Sequence, residues 1–273
     1  MFDNLTGKQG LVFGIISGIG LSAVIGIAII VPKLSGGNVE AKNLTATIQP
    51  SAQIDPSTEQ AQPPLNLPKS DKPQVELFVM SKCPYGLQME KALIPAYDLL
   101  KKKADISIKF VSYAMHGKEE VDENTRQYCA QQQNKDKYFS YLKCYATSED
   151  SAACLKSSGL NESNINSCVD KTNKKFNILD KFNDQSTWLS GQYPLYPVDQ
   201  DLNDKYGVQG SPTLVINGVQ AEANRTPDAI KSAICSSFNN PPVECGQTLT
   251  LSSPQPGFGA GQTQNATAGG CGG

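Results

Sequence analysis

The chain predicts an α/β fold in which a helical block separates two groups of strands, and three observations carry that expectation. A short apolar run, Val75 to Met80, leads into an amphipathic helical stretch. Two later runs, Thr213 to Asn217 and Val219 to Ala223, are joined by Asn217-Gly218, a pair suited to a tight hairpin turn. Between these groups, from roughly Glu119 to Leu189, apolar residues recur at helical spacing.

Each element follows from local chemistry. Pro84 to Lys103 reads as a helix with Leu87, Ala92, Ile94 and Leu99 among its apolar positions. Pro95 predicts a kink or break there, because proline lacks an amide hydrogen and crowds the preceding turn. Ile106 to Tyr113 alternates apolar and polar residues, as a half-buried strand does. In the helical block Tyr128, Phe139, Leu142, Leu155, Ile165 and Phe182 supply apolar positions, and Gly159 before Asn161 marks a stop and a new start. Thr226-Pro227-Asp228 opens a last helix through Cys235, with threonine at the cap and proline in the first turn.

The flanks differ in composition. Gly10 to Val31 is a run of 22 uncharged, mostly apolar residues. At about 1.5 Å per residue such a helix spans the roughly 30 Å hydrocarbon core, so residues 10–31 read as a transmembrane anchor behind a short segment, 1–9. A cleaved signal peptide is the alternative, but its apolar region is shorter and no small-x-small site follows Val31. Residues 32–73, rich in Ser, Gln, Thr, Asn and Pro, read as a disordered linker with an end-to-end distance of about 35 Å. Residues 239–273 read as a C-terminal extension, Gly/Ser/Gln-rich and largely disordered.

The formal net charge of -2 gives no basis for a nucleic-acid partner. Eight cysteines with a single histidine, and no Cys-x-x-Cys pair, point to disulfides rather than a metal site. No metal and no cofactor is implied. Disulfides persist in oxidising compartments, so the C-terminal bulk is expected outside the cytoplasm, in a periplasm or at a cell surface.

The candidate catalytic residue is Cys83. It sits where an apolar strand gives way to a helix start, and there the helix dipole and unpaired backbone amides favour thiolate over thiol. Pro84 lacks the amide that would be unpaired in the first turn, and Lys82 adds nearby positive charge. Cys129, Cys144, Cys154, Cys168, Cys235 and Cys245 are candidates for structural bridges, and fifteen pairings are open. The Asn239-Asn240-Pro241-Pro242 turn favours Cys235 with Cys245. His116 reads as a hydrogen-bonded loop residue, and Glu119, Glu120, Asp122 and Glu123 as a solvated face at a helix start.

Two separated motifs carry a resemblance. Phe78-Val79-Met80-Ser81-Lys82-Cys83-Pro84-Tyr85 and Tyr206-Gly207-Val208-Gln209-Gly210-Ser211-Pro212-Thr213-Leu214-Val215-Ile216 are similar to the active-site strand and cis-proline strand of the DsbA-like branch of the thioredoxin superfamily. The resemblance implies a thioredoxin-like fold over residues 74–238, with a helical insertion at about 118–190, and an activity in thiol-disulfide exchange. It also implies a cis bond before Pro212 and a substrate groove formed by Pro84, Tyr85, Ser211 and Pro212, where a peptide docks by strand addition. His116-Gly117-Lys118-Glu119-Glu120 and the spaced cysteines after it are similar to the GILT-like thiol reductases, without that branch's cysteines around the histidine.

One departure from the pattern is decisive for the chemistry. Where a dithiol relative carries its second cysteine, this chain has Gly86, so a dithiol cycle confined to Cys-Pro-Tyr-Gly is excluded and release must come from another thiol. If six cysteines pair, Cys83 and Cys271 are left. A flexible stretch of some 26 residues after Cys245 reaches about 28 Å, so Cys271 is a candidate distal resolving thiol; a tail cysteine without function or an intermolecular linkage is the alternative. The expected protein is therefore a membrane-anchored, extracytoplasmic exchange protein of reductase or isomerase type. Its expected partners are cysteine-containing proteins or peptides and a thiol reductant or redox partner protein. A redox-inactive peptide-binding or chaperone module is the alternative.

Overall fold

In the computed structural model, which describes residues 66–263 and 269–272, the chain begins with β1 (Gln74–Val79), α1 (Pro84–Leu100) and β2 (Asp105–Phe110). A helical block follows: α2 (Gly117–Gln133), α3 (Lys135–Ser148), α4 (Ser151–Ser158), α5 (Glu162–Phe176) and α6 (Ile178–Asn183). The chain then forms α7 (Gln200–Tyr206), β3 (Gly210–Ser211), β4 (Thr213–Ile216), β5 (Val219–Gln220) and α8 (Pro227–Ser236). Short strands β6 (Ser253–Pro254), β7 (Gln262–Thr263) and β8 (Cys271–Gly272) complete the described residues. The expected anchor, residues 10–31, and the linker up to residue 65 lie outside the described residues. Among the described residues no helix is long and apolar enough to cross a membrane.

The main sheet has the order β2-β1-β4-β5, with β1 parallel to β2 and antiparallel to β4. This is a thioredoxin-type α/β arrangement. β1 is central because five of its six residues, Val75 to Val79, are buried, as a strand covered on both faces requires. The β4-β5 hairpin turns at Asn217-Gly218, both at positive φ, as its residue types lead one to expect.

α1 packs Leu87, Ala92, Leu93, Ala96 and Leu100 into the core. It runs unbroken through Pro95, so the expected break is absent. The burial of Leu93, Ile94, Tyr97 and Leu100 around that point accounts for this. Each large apolar side chain is worth about 1.5–3 kcal/mol on burial, together more than the roughly 3 kcal/mol that an interior proline costs.

α2 departs from expectation in its charges. Glu119 is exposed and Asp122 half-buried, but Glu120 and Glu123 are fully buried with Asn124 and Gln127, on one helical face. Burial is tolerated because partners meet them: Tyr141 and Gln127 donate to Glu123 Oε1 at 2.6 and 2.9 Å, and Arg126 and Ser151 to Oε2 at 2.6 and 2.8 Å. Disulfides Cys129–Cys168 and Cys144–Cys154 then tie α2 to α5 and α3 to α4, and Cys235–Cys245 closes the chain after α8.

The segments expected to lack packing are partly laid onto this frame. At the end of the presumed linker, Ser70 exchanges backbone hydrogen bonds with Ser237 and Asn239 around Phe238. After Cys245 the chain crosses α1: Gln88 donates to the Pro254 carbonyl, and the Lys91 ammonium donates to the carbonyls of Gln255, Gly257 and Gly259 at 2.7–2.9 Å. Phe258 meets the Tyr145 ring edge-on. A glycine-rich strand needs little apolar area of its own when a half-buried cation satisfies three of its carbonyls.

Glu90, on the buried side of α1, has neither carboxyl oxygen hydrogen-bonded. Burial first, and the Glu123 charge second, hold its carboxyl well above the usual range, with Lys91 opposing. The folded value thus lies above the unfolded one, so the group's stabilising contribution is intact below the unfolded value of about 4.3 and is lost as pH rises toward the raised one. Glu90→Gln is expected to flatten the fall of stability as pH rises above about 4.3, read from denaturant midpoints, whereas a slope equal to the parent's would show that Glu90 ionises normally.

Candidate active site

The strand-to-helix junction after β1 is held by backbone bonds before any side chain acts. Cys83 N–H donates to the Met80 carbonyl at 2.9 Å, Ser81 N–H to Asn124 Oδ1 at 2.9 Å, and Lys82 N–H to Glu120 Oε2 at 3.2 Å. The buried acid of α2 therefore shapes the loop in front of the sulfur. Cys83 is the N-cap residue of α1, and Gly86 N–H donates to its Sγ at 3.4 Å. With Pro84 at the first helical position, the sulfur takes the place that a serine or aspartate oxygen occupies at an ordinary cap.

The second motif faces the first. The Ser211-Pro212 bond is cis, and Ser211 Oγ accepts from Met80 N–H at 3.0 Å. The Ser211 carbonyl oxygen lies 3.4 Å from Cys83 Sγ. Gly86 belongs to the same packing: a Cβ there would stand 2.6 Å from Ser211 Oγ and 3.2 Å from the Met80 carbonyl. The site has no room for a side chain where a local resolving cysteine would sit.

Cys83 is bonded to Cys271. β8 lies antiparallel to β3 with Ser211 opposite Cys271 and Gly210 opposite Gly272, so the tail enters the groove as an added strand. A sulfur that attacks substrate needs access, yet Cys83 is fully buried here, and the tail is part of what covers it. Tyr85 flanks the tail, with the Arg225 guanidinium 5.4 Å from its ring centre, and Arg225 Nη2 donates to the Gly269 carbonyl. Pro84 contributes its carbonyl, which accepts from Gly257 N–H at 2.8 Å. Arg225, Gln88 and Tyr113 belong to this groove although no sequence motif singles them out.

The nearby charges are already engaged. Lys82 pairs with Glu119 at 2.6 Å and Glu149 at 2.9 Å, in that order the main causes of its raised pKa. His116 Nδ1 lies 2.6 Å from Glu120 Oε2, and that hydrogen bond raises the imidazole's pKa against the opposing effect of burial. Both cations are thus committed to carboxylates. The remaining cysteine candidates, Cys129, Cys144, Cys154, Cys168, Cys235 and Cys245, form the three bridges described above, away from this groove.

Comparisons with known proteins concern the same region. Residues 74–172 match the family model described as Gamma interferon inducible lysosomal thiol reductase (GILT). That stretch holds β1, Cys83, α1 and His116 but ends before Ser211, Pro212 and Cys271. Solved structures similar to this chain include reduced DsbA from Mycobacterium tuberculosis, at 14% identity over 66% of this chain and 91% of that one, with a TM-score of 0.45. The reduced disulfide bond oxidoreductase DsbG from the same organism is 13% identical over 66% and 87%, with a TM-score of 0.46. BdbD from Bacillus subtilis, oxidised, is 21% identical over 62% and 89%, with a TM-score of 0.41. No curated protein matches the chain.

The packing around Gly86 generates a prediction. Gly86→Cys, which writes the dithiol spacing back into the chain, is expected to cost about 1–3 kcal/mol of stability through overpacking, measured by denaturant unfolding. A variant as stable as the parent would show that Ser211 yields and a local second sulfur fits.

Proposed function

We propose that the protein is a thiol-disulfide oxidoreductase working in the reductive direction, with Cys83 as the attacking sulfur and Cys271 as its distal resolving partner. One observation carries this: the sulfur that caps α1 is joined to a cysteine docked beside Ser211, in the position an incoming substrate sulfur would take. The match of residues 74–172 to a thiol reductase family model supports the same chemistry.

The cycle balances with two protein thiols. Cys83 thiolate attacks one sulfur of a substrate disulfide; the substrate's S–S bond breaks, a Cys83-substrate disulfide forms, and the other substrate sulfur leaves as thiolate. Cys271 thiolate then attacks Cys83 Sγ, the mixed disulfide breaks, and the second substrate sulfur leaves reduced. Two electrons have passed to the substrate, and the protein is left with the Cys83–Cys271 bond. An external thiol or dithiol reductant resets it. In the reduced state Cys83 is expected below the ordinary thiol value of about 8.5, because the Gly86 amide and the helix start stabilise its thiolate.

Residues 10–31 would anchor this domain in a membrane, with the catalytic part outside the cytoplasm. Three further disulfides, at Cys129–Cys168, Cys144–Cys154 and Cys235–Cys245, support an oxidising compartment. Substrates would be cysteine-containing proteins or peptides.

Trapping tests the assignment. Reduced protein incubated with a disulfide-bonded protein such as insulin, then acid-quenched, is expected to give mixed disulfides that persist in Cys271→Ser and are absent in Cys83→Ser. Loss of an intramolecular thiol at millimolar effective concentration predicts release about 100-fold slower in Cys271→Ser at about 10 μM external thiol. Equal adduct yields from the parent and Cys83→Ser would remove Cys83 from the reaction and leave a peptide-binding module.

A further inference from the structure

The tail does more than supply a sulfur, because the way it is seated shows what the groove accepts. Around the reacting bond it is held through its backbone. β3 pairs with Cys271 and Gly272, and Arg225 donates to the carbonyl of Gly269, two residues before the cysteine. Arg225 is itself held, with Nη1 donating to Gln88 Oε1 at 3.1 Å and its guanidinium over the Tyr85 ring.

The walls exclude side chains at two positions. A Cβ on Gly269 would run into the Tyr85 ring, and a Cβ on Gly272 would run into the Tyr113 hydroxyl. Neither wall is loose, since Tyr85 lies under Arg225 and Tyr113 donates to the Gln209 carbonyl at 2.6 Å. Gly272 also has φ +82, a left-handed backbone that favours glycine. On the floor, Gly210 leaves no space either, because a Cβ there would lie 2.7 Å from the Cys271 carbonyl and 2.9 Å from that of Gly272.

We propose that the tail is a tethered stand-in for substrate, and that the groove selects an extended segment whose cysteine is followed by glycine and preceded, two residues earlier, by glycine, with Arg225 setting the register. This rests on the reading of Cys83 as an exchanging thiol and adds the substrate class to it. Arg225 is a positioning residue: it grips a peptide carbonyl and touches no sulfur. Selectivity arises by exclusion at Tyr85 and Tyr113, while affinity comes from main-chain bonds that any sequence can offer. The oxidised form, with the tail seated, is closed to such segments; reduction of the Cys83–Cys271 bond opens the groove.

The test uses the full chain carrying Cys271→Ser and two symmetrical peptide disulfides, one of acetyl-Gly-Gly-Cys-Gly-amide and one of acetyl-Leu-Gly-Cys-Leu-amide. Cys83 thiolate attacks one half, the peptide S–S bond breaks, the Cys83-peptide disulfide forms, and the other half leaves as thiolate. Adduct formation is followed by mass spectrometry, and since the seated tail competes equally with both probes it cancels in their ratio. The glycine probe is expected to react about fivefold faster or more, the fold-change of an overpacked contact at the low end of its range. Arg225→Gln is expected to narrow the ratio of the two rates, because a segment that is no longer held in register is no longer pressed against Tyr85 and Tyr113. Equal rates for the two probes would overturn the selectivity and leave exchange at Cys83 standing. An unchanged ratio in Arg225→Gln would overturn the register role, and no adduct with either probe would overturn both this inference and the assignment of Cys83.

Discussion

The structure turns on a single sulfur held at the first turn of a helix. Cys83 Sγ accepts the Gly86 amide while its own backbone is fixed to Met80, and those two bonds set where the atom lies relative to the sheet. β1 delivers the residue, and Pro84 ensures that the helix begins immediately after it. Met80 also donates to Ser211 Oγ, so the same strand end that aims the sulfur aims the opposite wall of the groove. Cys83 and the Ser211 edge are thus tied to the same strand end, an arrangement that would suit the proposed exchange reaction, which needs near-collinear sulfurs.

That packing explains why the sulfur bonded to Cys83 comes from so far away in sequence. Ser211 Oγ stands where a side chain at position 86 would begin, so the local solution is sterically closed. The tail supplies the second sulfur through an added strand, at a sequence separation of 188 residues. Closing so long a loop in an unfolded chain is entropically costly, but here most of the path is already fixed. Cys235–Cys245 holds the beginning of the extension to α8, and Lys91 and Gln88 fix its middle to α1. Arg225 then secures Gly269, two residues before the cysteine.

What was legible in the sequence follows the range of the physics behind each feature. The strand before Cys83, the cap at Thr226, the Asn217-Gly218 turn and the Asn161 cap depend on residues within a few positions of one another, and each falls within a residue or two of where its chemistry indicates. α7 was missed because Gln200–Tyr206 presents a short, polar run with little apolar period. The burial of Glu120 and Glu123 was hidden for a different reason. Acids near a helix start suit the dipole whether exposed or not, and only Tyr141, Ser151 and the loop amides reveal that these two face inward; their i, i+3 spacing with Asn124 and Gln127 was the available sign. The seating of the tail depends on Lys91 and Arg225, cations that no local pattern distinguishes from surface charges.

The same accounting shows where the sulfur's stabilisation originates. Lys82, adjacent in sequence, suggests a cation beside the thiolate, yet its ammonium is held by Glu119 and Glu149. His116 is likewise bound to Glu120, so its proton is shared with a carboxylate rather than offered to sulfur. Lys82 and His116 are therefore each matched by a carboxylate, so the net field of these pairs at Cys83 is small compared with that of an unpaired charge, while Arg225 is turned to the Tyr85 ring and the Gly269 carbonyl. What remains is the oriented backbone: the Gly86 amide at 3.4 Å and the open turn of α1 behind it. A thiolate stabilised by dipoles buried with it is screened little by salt, whereas one stabilised by exposed ion pairs would lose that help as ionic strength rises. The pairs around the loop thus serve its shape, and in the proposed exchange reaction the helix start is what would favour a Cys83 thiolate.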